Sequence, residues 1–345
     1  MELRMAGNFL DKKKILITGC CGTVGKELVR QITEGRFGSA EVLGIDNAES
    51  GIFSLSLEYP LHRFRVVDIT NGGLVDSIMA GVDYCIHTAA LKHVVTCEFV
   101  PEQAIDTNIH GVQNVISAAI KHNLKKVIFT SSDKAVNPTN VMGTTKLMGE
   151  KLISSTLDQS STIFASTRFG NVLGSNGSVV PIFAEQIAQG LAITITAAEM
   201  SRFIMNVEKA VELVMQSLVA ANGGEIFVTK MPSVRISDLA QAMYNTFRGL
   251  KGLNAERIKI EYIGPKPGEK MFEELMNSEE TRRSIETNQF FVILPPLQPI
   301  NKYISSSEYL GVVSDTVCQP YRSDQESYLS IGEIQDFLQT LSPLW

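Results

Sequence analysis

The 345 residues carry 31 lysines and arginines against 37 aspartates and glutamates, a formal net charge of −6, and 44% of them are hydrophobic. A chain of this length and composition buries a large core in one or two domains, which excludes wholesale disorder. Its acidic balance argues against nucleic acid or an anionic membrane as the main partner. No apolar stretch reaches the roughly 18 residues of a membrane span. The first residues, MELRMAGNFLDKKK, lack the apolar core of a signal peptide, so we expect a cytoplasmic protein.

Short apolar runs alternate with helical patterns through the first half of the chain. Their length and β-branched content predict strands at 14–18, 41–45, 64–67, 83–87, 126–130 and 163–167. Helices are predicted between them at 24–33, 101–121 and 142–155. This alternation predicts an α/β fold of the Rossmann type, with a doubly wound parallel sheet. Such sheets bind ligands beyond the carboxyl ends of their strands.

The first predicted strand runs directly into a glycine turn, GCCGTVG at 19–25, and then into a helix. This GxxGxxG pattern is a spacing variant of the dinucleotide-binding fingerprint. Its glycines let the backbone approach a pyrophosphate, and the helix N-terminus presents free N–H groups. Asp46 ends the second strand, where a carboxylate accepts hydrogen bonds from ribose hydroxyls and repels a 2′-phosphate. We therefore predict NAD rather than NADP. Asp68, after the third strand, is expected at the adenine region, with a strand-end cap as the alternative.

Beyond about Asn171 the pattern loosens, and turn clusters separate shorter elements. We predict an NAD-binding Rossmann domain at 1–170, completed by a returning segment near 203–230. Residues 171–345 are predicted to form a smaller C-terminal α/β substrate-binding domain and a tail. The five cysteines and five histidines show no metal-ligand spacing, so we predict free thiols and no metal site.

Hydroxyl, carboxylate and amine side chains crowd the end of the fifth predicted strand. Ser132, Asp133 and Lys134 follow its apolar residues, and Met142 and Lys146 come shortly after. From the residues alone, a polar loop with a helix N-cap and a catalytic segment are equal alternatives.

A set of ordered motifs resembles the extended short-chain dehydrogenase/reductase family: GxxGxxG, HTAA at 87–90, Asn108, SSDKAVNP at 131–138, GTTK at 143–146 and RFGNV at 168–172. A second set resembles, more narrowly, the UDP-N-acetylglucosamine 4,6-dehydratases of bacterial surface-glycan biosynthesis: ALKH at 90–93, SDKA at 132–135, GSVVP at 177–181 and PGEK at 267–270. The resemblance covers roughly residues 12–295 and includes blocks on both halves of the chain.

This resemblance implies roles for the segment after the fifth strand. Asp133 would be the acid for the C6 leaving group, and Lys134 would be the base for the C5 proton. Lys134 can act so only if burial or a nearby cation lowers its pKa. Ser132 would hydrogen-bond the C4 oxygen, and Lys146 would bind the nicotinamide ribose and lend positive charge beside that oxygen.

One position departs from the family pattern. The usual Tyr-x-x-x-Lys is here Met142-Gly143-Thr144-Thr145-Lys146. Methionine has no ionisable proton, so it cannot deprotonate an alcohol. Some dehydratases of this family carry methionine here and remain active, so Met142 stays in the predicted catalytic set. Asp133, acting through a water, is then the leading candidate for the C4 base.

The glycine motif and the resemblance together define two sets of expected ligand contacts. The cofactor is expected to contact Gly19, Cys21, Gly22, Thr23, Val24, Gly25, Asp46, Asn47, Asp68, Ile69, Ala89, Ala90, Lys92, Asn108 and Lys146. The substrate is expected to contact Lys92, His93, Arg168, Asn171, Val180, Pro181, Arg202, Lys266 and Glu269. For Arg202, a surface or interface arginine is the alternative.

The resemblance implies NAD-mediated oxidation of UDP-N-acetylglucosamine at C4 and loss of water across C5–C6. The product would be a 4-keto-6-deoxy or a 5,6-ene UDP-sugar. A UDP-sugar 4-epimerase is the enzymatic alternative, although epimerases need the tyrosine and no carboxylate–lysine pair. A non-catalytic NAD-binding regulatory protein is the other. A homo-oligomer is expected, through the helices at about 101–121 and 142–156.

Overall fold

A computed structural model of the protein describes residues 8–175, 178–251, 259–265, 268–297 and 304–341. Its strands are β1 (Lys13–Thr18), β2 (Ala40–Asp46), β3 (Arg63–Val66), β4 (Tyr84–His87), β5 (Lys126–Ser132), β6 (Ile163–Phe169), β7 (Asn171–Val172), β8 (Ile193–Ile195), β9 (Ser201–Met205), β10 (Ile226–Thr229), β11 (Ser233–Arg235), β12 (Ile260–Tyr262), β13 (Glu274–Met276), β14 (Ser284–Thr287), β15 (Phe290–Ile293), β16 (Val312–Ser314) and β17 (Tyr321–Arg322). Its α-helices are α1 (Thr23–Thr33), α2 (Glu49–Glu58), α3 (Gly72–Met79), α4 (Val94–Phe99), α5 (Pro101–Ile105), α6 (Gly111–Lys121), α7 (Val141–Ser154), α8 (Val179–Ala188), α9 (Val207–Ala220), α10 (Ile236–Lys251) and α11 (Ile331–Gln339). A π-turn lies at Asp106–His110, and short 3-10 turns lie at Asp133–Ala135, Glu280–Arg283 and Ser306–Glu308.

The central sheet has ten strands in the order β16-β14-β15-β10-β6-β5-β4-β1-β2-β3. The seven from β10 to β3 run parallel, and β15, β14 and β16 extend the sheet antiparallel. Order β3-β2-β1-β4-β5 reverses direction between β1 and β4, which is the switch point where such sheets bind ligands. The predicted Rossmann-type fold is confirmed.

Both faces of the sheet are covered, because successive strand residues point to opposite sides. Ile15 and Ile17 of β1 pack with Leu28 of α1 and Val214 of α9. Leu16, between them in sequence, packs on the other face with helices α3, α6 and α7. A strand buried on both faces explains why β1 reads as a continuous apolar run rather than an alternating one.

Segments of the second half return to the sheet in two places. Strand β10 lies beside β6 within the predicted returning segment, and α9 packs on the same face as α1. Strands β14, β15 and β16 extend the sheet further, where no strand was predicted. A separate core forms around α8, α10 and α11. The predicted domain boundary at 170 stays a prediction.

The helix predicted over 101–121 is interrupted. The π-turn at Asp106–His110 divides it into α5 and α6 and buries Asn108. A π-turn widens the backbone by one residue locally and often marks a functional position. Among the helices that the structure describes, none combines the length and apolar character needed to cross a bilayer.

Candidate active site

The turn between β1 and α1 has the geometry of a phosphate cradle. Gly19 has a φ of +71°, and a Cβ there would lie 2.6 Å from the Ala89 nitrogen. At Gly25 a Cβ would overlap the Gly19 carbonyl oxygen. Gly22 caps α1 without a side chain, so the first N–H groups of the helix are left for an anion. The predicted turn residues Cys21, Thr23 and Val24 lie partly exposed in this same cradle.

Asp46 is held at the mouth of this turn. Its Oδ2 accepts from the Cys21 N–H at 3.0 Å, and its Oδ1 accepts from the Ala48 N–H at 3.0 Å. The carboxylate is half-buried and Asn47, beside it, is exposed. Lone pairs that the two N–H groups leave free can accept from a pair of ribose hydroxyls.

The thiols of Cys20 and Cys21 and the Asp46 carboxylate lie within 4.8 Å of one another. Burial and the Cys21 neighbour raise the pKa of Cys20, and burial and Asp46 raise the pKa of Cys21. Thiolates, not thiols, bind metals. These three groups lie at the turn between β1 and α1, and the expected absence of a metal site stays a prediction.

Three residues predicted to contact the cofactor have structural partners within the protein, and their contact with a cofactor stays a prediction. The Asn108 amide is buried, donating to Leu91 O and Thr145 Oγ1 and accepting from the Leu91 N–H. It therefore ties the loop after β4 to α7. Ile69 is buried against Gly111. Asp68 is exposed and its Oδ1 accepts from the N–H and hydroxyl of Thr70, which is the strand-end cap of the alternative interpretation.

The end of β4 lies next to the glycine turn. The Thr88 hydroxyl donates to Thr18 O at 2.6 Å, and the Ala89 N–H donates to the Thr18 hydroxyl at 3.3 Å. Ala89 and Ala90 are therefore fixed, half-buried, beside the phosphate cradle. Lys92 and His93 follow them on the exposed approach to α4.

Three of the predicted catalytic residues, Ser132, Asp133 and Lys134, form one connected group at the end of β5. The Ser132 hydroxyl donates to Asp133 Oδ1 at 2.8 Å, and Lys134 Nζ donates to the same oxygen at 3.0 Å. Asp133 is 1% exposed. Gly143 lets the first turn of α7 approach, since a Cβ there would overlap the Lys134 carbonyl oxygen.

Lys134 does not have the lowered pKa that a free lysine base requires. Burial favours the neutral amine, but the charges of Asp133 and Glu273 outweigh it and raise the pKa of Lys134 above its usual range. Glu273 Oε1 lies 3.6 Å from Lys134 Nζ. The side chain is therefore an ammonium at neutral pH, contrary to the condition set for it in the sequence analysis.

Lys146 lies on α7 behind this group. Its Nζ donates to Thr130 O at 3.0 Å and lies 4.7 Å from the centre of the Phe129 ring. Burial lowers the pKa of Lys146 to about 8. His87 is also buried, and burial together with the Lys146 charge lowers its pKa to about 3, so it is a neutral partner for the Thr18 hydroxyl at 2.6 Å.

Met142 is 4% exposed and packs in a small apolar cluster with Cys97 and Ala104. Leu91 and Val94 border the same cluster. The thioether offers no proton acceptor of useful basicity, so Met142 cannot take the proton of an alcohol.

Arg168 was predicted to contact the substrate, and the structure places it in the core with 0% exposure. Its five N–H donors go to Glu150, Glu280 and the Leu275 carbonyl at 2.6–3.0 Å. A guanidinium with every donor used has none left for a diphosphate. The prediction for Arg168 is wrong because its acidic partners come from elements distant in sequence.

The other predicted substrate residues divide into three groups. The Val180 side chain is wholly buried in the core around α8, so only its backbone could reach a ligand, whereas Asn171 and Pro181 are half-buried. Lys266 lies outside the described residues. Arg202 and Glu269 lie together beside the catalytic segment, 3.9 Å apart.

The segment after Gly268 packs against the loop that follows the predicted catalytic residues. Gly268 O accepts from Thr139 Oγ1 at 3.0 Å, and Lys270 Nζ donates to Val136 O at 2.7 Å. Arg202 donates to the carbonyl oxygens of Ser201 and Lys270, which fixes this segment against β9. Sequence reasoning missed Glu273, and the only available signal was a further acidic pair just beyond the PGEK motif.

The sequence and fold of this chain are similar to those of known proteins over most of its length. The family model described as polysaccharide biosynthesis protein matches residues 15–295. An uncharacterized membrane protein of Methanocaldococcus jannaschii is 42% identical over 293 residues, 84% of this chain and 87% of that protein. A UDP-glucose 4-epimerase of Rickettsia canadensis is 36% identical over 343 residues, 97% of each chain. The X-ray structure of Pen from Bacillus thuringiensis has a TM-score of 0.87 at 40% identity, covering 96% of this chain and 98% of that one.

Proposed function

The chain belongs to the polysaccharide biosynthesis protein family, and we propose that within it the protein is an NAD-dependent dehydratase of UDP-N-acetylglucosamine. The observation that carries the proposal is the connected group Ser132–Asp133–Lys134. The Ser132 hydroxyl and the Lys134 side-chain nitrogen both donate to Asp133 Oδ1 at the carboxyl end of β5. Elimination of water needs an acid and a base close together. Asp133 offers the acid once it has taken a proton, and Lys134 offers the base once its ammonium has given one up.

The phosphate cradle fits NAD. Because Gly19, Gly22 and Gly25 have no side chains, a pyrophosphate can come close to the backbone of the turn. Asp46 favours a ribose with a free 2′-hydroxyl. Bound in this cradle, NAD would supply a hydride acceptor for the sugar C4 and, once reduced, a hydride donor. A Lys146 ammonium beside that position would stabilise negative charge on the C4 oxygen.

Removal of the C4 hydroxyl proton falls to Ser132 and Asp133. Ser132 can accept the proton from the C4 hydroxyl while its own proton passes along the 2.8 Å hydrogen bond to Asp133 Oδ1. This relay replaces the water of the sequence-based hypothesis with a side chain. It also makes the missing tyrosine at Met142 dispensable.

Asp133, once protonated in this way, can act as the acid at C6. The C5 proton is acidified by the adjacent ketone. When a base removes it, the C5–H electron pair forms the C5–C6 double bond, and the C6 hydroxyl leaves as water with the Asp133 proton. The proton taken from the C4 hydroxyl thus departs in the water, and Asp133 returns to its carboxylate form.

A UDP-sugar 4-epimerase is the second candidate, because the Rickettsia canadensis relative bears that name over 97% of its length. Epimerisation also starts by C4 oxidation, but it needs neither a C5 base nor an acid at C6. The Asp133–Lys134 pair and the methionine at Met142 favour the dehydratase.

Incubation of the purified protein with UDP-N-acetylglucosamine and NAD tests the proposal directly. We expect proton NMR of the product to show loss of the C6 hydroxymethylene signals. A C6 methyl doublet would identify a 4-keto-6-deoxy sugar, its coupling would give the C5 configuration, and vinylic signals would identify a 5,6-ene sugar. UDP-N-acetylgalactosamine as the sole product would show an epimerase instead.

A further inference from the structure

Four charged side chains form a cluster beside Ser132, hereafter the charge cluster: Asp133, Lys134, Arg202 and Glu273. Lys134 Nζ lies 3.0 Å from Asp133 Oδ1 and 3.6 Å from Glu273 Oε1. Arg202 Nε lies 3.7 Å from the same Glu273 oxygen. Asp133 and Glu273 are 1% and 3% exposed, so these charges interact with little screening by water.

The charge cluster poses a problem for the dehydratase chemistry on which this inference rests. The C5 base has to be neutral, yet Lys134 carries its proton at neutral pH because two carboxylates face its ammonium. An ammonium cannot accept the C5 proton. Some group within reach must take the Lys134 proton first.

Two carboxylate oxygens in the charge cluster lack hydrogen-bond partners among the described residues. They are Asp133 Oδ2 and Glu273 Oε2, both fully buried. At Glu273, a buried carboxylate oxygen without a donor makes the anion costly, and a proton relieves that cost. Burial raises the pKa of Glu273, the Asp133 charge adds to this effect, and Lys134, Arg202 and Lys270 oppose it.

We infer that Glu273 is the proton acceptor of Lys134, and that the two side chains together form the base that removes the C5 proton. The ammonium of Lys134 gives one proton to the Glu273 carboxylate, and the neutral amine then takes the C5 proton. In the 4-keto-6-deoxy outcome the new ammonium returns a proton to C5 and then recovers its own from Glu273. Glu273 acts through Lys134 and is therefore a positioning residue rather than a catalytic one.

Asp133 is less suited to this task, although it is nearer to Lys134. Its carboxylate already receives the C4 proton through Ser132 and has to keep it for the C6 hydroxyl. A second acceptor lets the acid and the base be loaded independently. Arg202, held by the Ser201 and Lys270 carbonyls, fixes the position of Glu273 without donating a short hydrogen bond to it.

The variant Glu273→Gln tests the inference, with Glu274→Gln as the matched control. Glu274 is the next residue, and its carboxylate accepts from Asn137. Within the described part of the chain it forms no hydrogen bond or ion pair with the charge cluster. At neutral pH we expect kcat of Glu273→Gln to fall at least about tenfold with little change in KM, because only proton removal is impaired. With substrate deuterated at C5, the isotope effect on kcat should increase.

The pH dependence distinguishes a proton acceptor from a structural residue. Without the Glu273 charge the pKa of Lys134 falls, since one of the two carboxylates that raise it is gone. The kcat of Glu273→Gln should therefore recover toward the wild-type value as pH rises to about 10, where hydroxide takes the Lys134 proton. A loss that is independent of pH and leaves the isotope effect unchanged would overturn the inference. So would a rate at neutral pH equal to or above wild type.

The wild-type enzyme supplies a test that does not depend on the variant folding. If Glu273 takes the Lys134 proton, the wild-type kcat should reach its plateau near neutral pH. A rate that climbs about tenfold per pH unit into the alkaline range would show that solvent deprotonates Lys134, and the inference would be wrong. A wild type that forms only the 4-epimer would overturn the proposed function and this inference together. Water loss in both wild type and Glu273→Gln at equal rates would overturn the inference alone.

Discussion

At the residue scale, Arg168 joins the parallel sheet to the C-terminal half of the chain. It lies on β6, and its guanidinium bridges Glu150 of α7 and Glu280 of the 3-10 turn. Burial alone would lower the pKa of Arg168, but the two glutamates raise it, so the cation is permanent. The side chains of Arg168, Glu150 and Glu280 are each at most 6% exposed.

The variant Arg168→Met should therefore destabilise the fold rather than weaken substrate binding. It leaves two buried carboxylates facing each other, and loss of one partner of a buried ion pair typically costs about 3–5 kcal/mol. Urea denaturation followed by circular dichroism would measure the change in the free energy of unfolding. The variant Arg36→Met is the control, because that exposed arginine forms a surface ion pair with Glu34. Its loss should cost less than about 1 kcal/mol. Wild-type stability with a raised KM would restore Arg168 to the substrate site.

At the element scale, the strand–turn–helix unit of β1 and α1 depends on glycines that no other residue can replace. The Gly19 carbonyl oxygen occupies the space that a side chain at Gly25 would need. A substituent there pushes α1 away from the turn, and the helix N–H groups then no longer converge on a phosphate.

The variant Gly25→Ala should lower NAD affinity at least about tenfold while the chain still folds, because α1 keeps its apolar face. Isothermal titration of NAD into each variant measures the dissociation constant without relying on turnover. Gly332→Ala, in α11, is the control, since a Cβ at that position meets no atom within 4 Å. Unchanged NAD binding by Gly25→Ala would show that the dinucleotide does not use this turn.

Local signals made this unit predictable from sequence, whereas the acidic partners of the site were not. The glycine turn needs particular residues at fixed spacing, and the apolar runs of the parallel strands follow from burial on both faces. Arg168 instead finds Glu150 and Glu280 at separations of 18 and 112 residues. Only the folded chain brings these three residues together, so from the sequence Arg168 was predicted to contact the substrate. The π-turn within 101–121 was missed for a similar reason. Its Asn108 is held by hydrogen bonds to Leu91 and Thr145, which the periodicity of the helix does not reveal.

At the scale of the whole molecule, the last third of the chain is built into the Rossmann sheet. Strands β14, β15 and β16 extend it, and the Tyr309 hydroxyl donates to the buried Glu225 at 2.9 Å. The segment that carries Glu273 is consequently held against Lys134, in the 3-10 turn after β5, from the opposite half of the sequence. The net charge of −6 of the whole chain says little about this site, because the charge cluster contains two carboxylates and two cationic side chains.

Helices α4, α5 and α7 pack against one another on one side of the molecule and leave apolar side chains exposed there. The exposed residues are Val95, Phe99, Ile105 and Met148. Apolar side chains grouped on adjacent helices are typical of a protein–protein interface. The same region includes the helices through which a homo-oligomer is expected from the sequence, so a second copy of this chain is the partner we propose.

The variant Phe99→Glu should dissociate that oligomer. Phe99 is 82% exposed, and a carboxylate buried at a self-complementary interface meets its own symmetry mate or loses hydration. Size-exclusion chromatography with light scattering should show a smaller mass for the variant than for wild type at equal concentration. Leu310→Glu, at a 70% exposed residue outside this group of helices, should keep the wild-type mass. A wild-type monomer, or a Phe99→Glu variant of unchanged mass, would show that these helices do not form the interface.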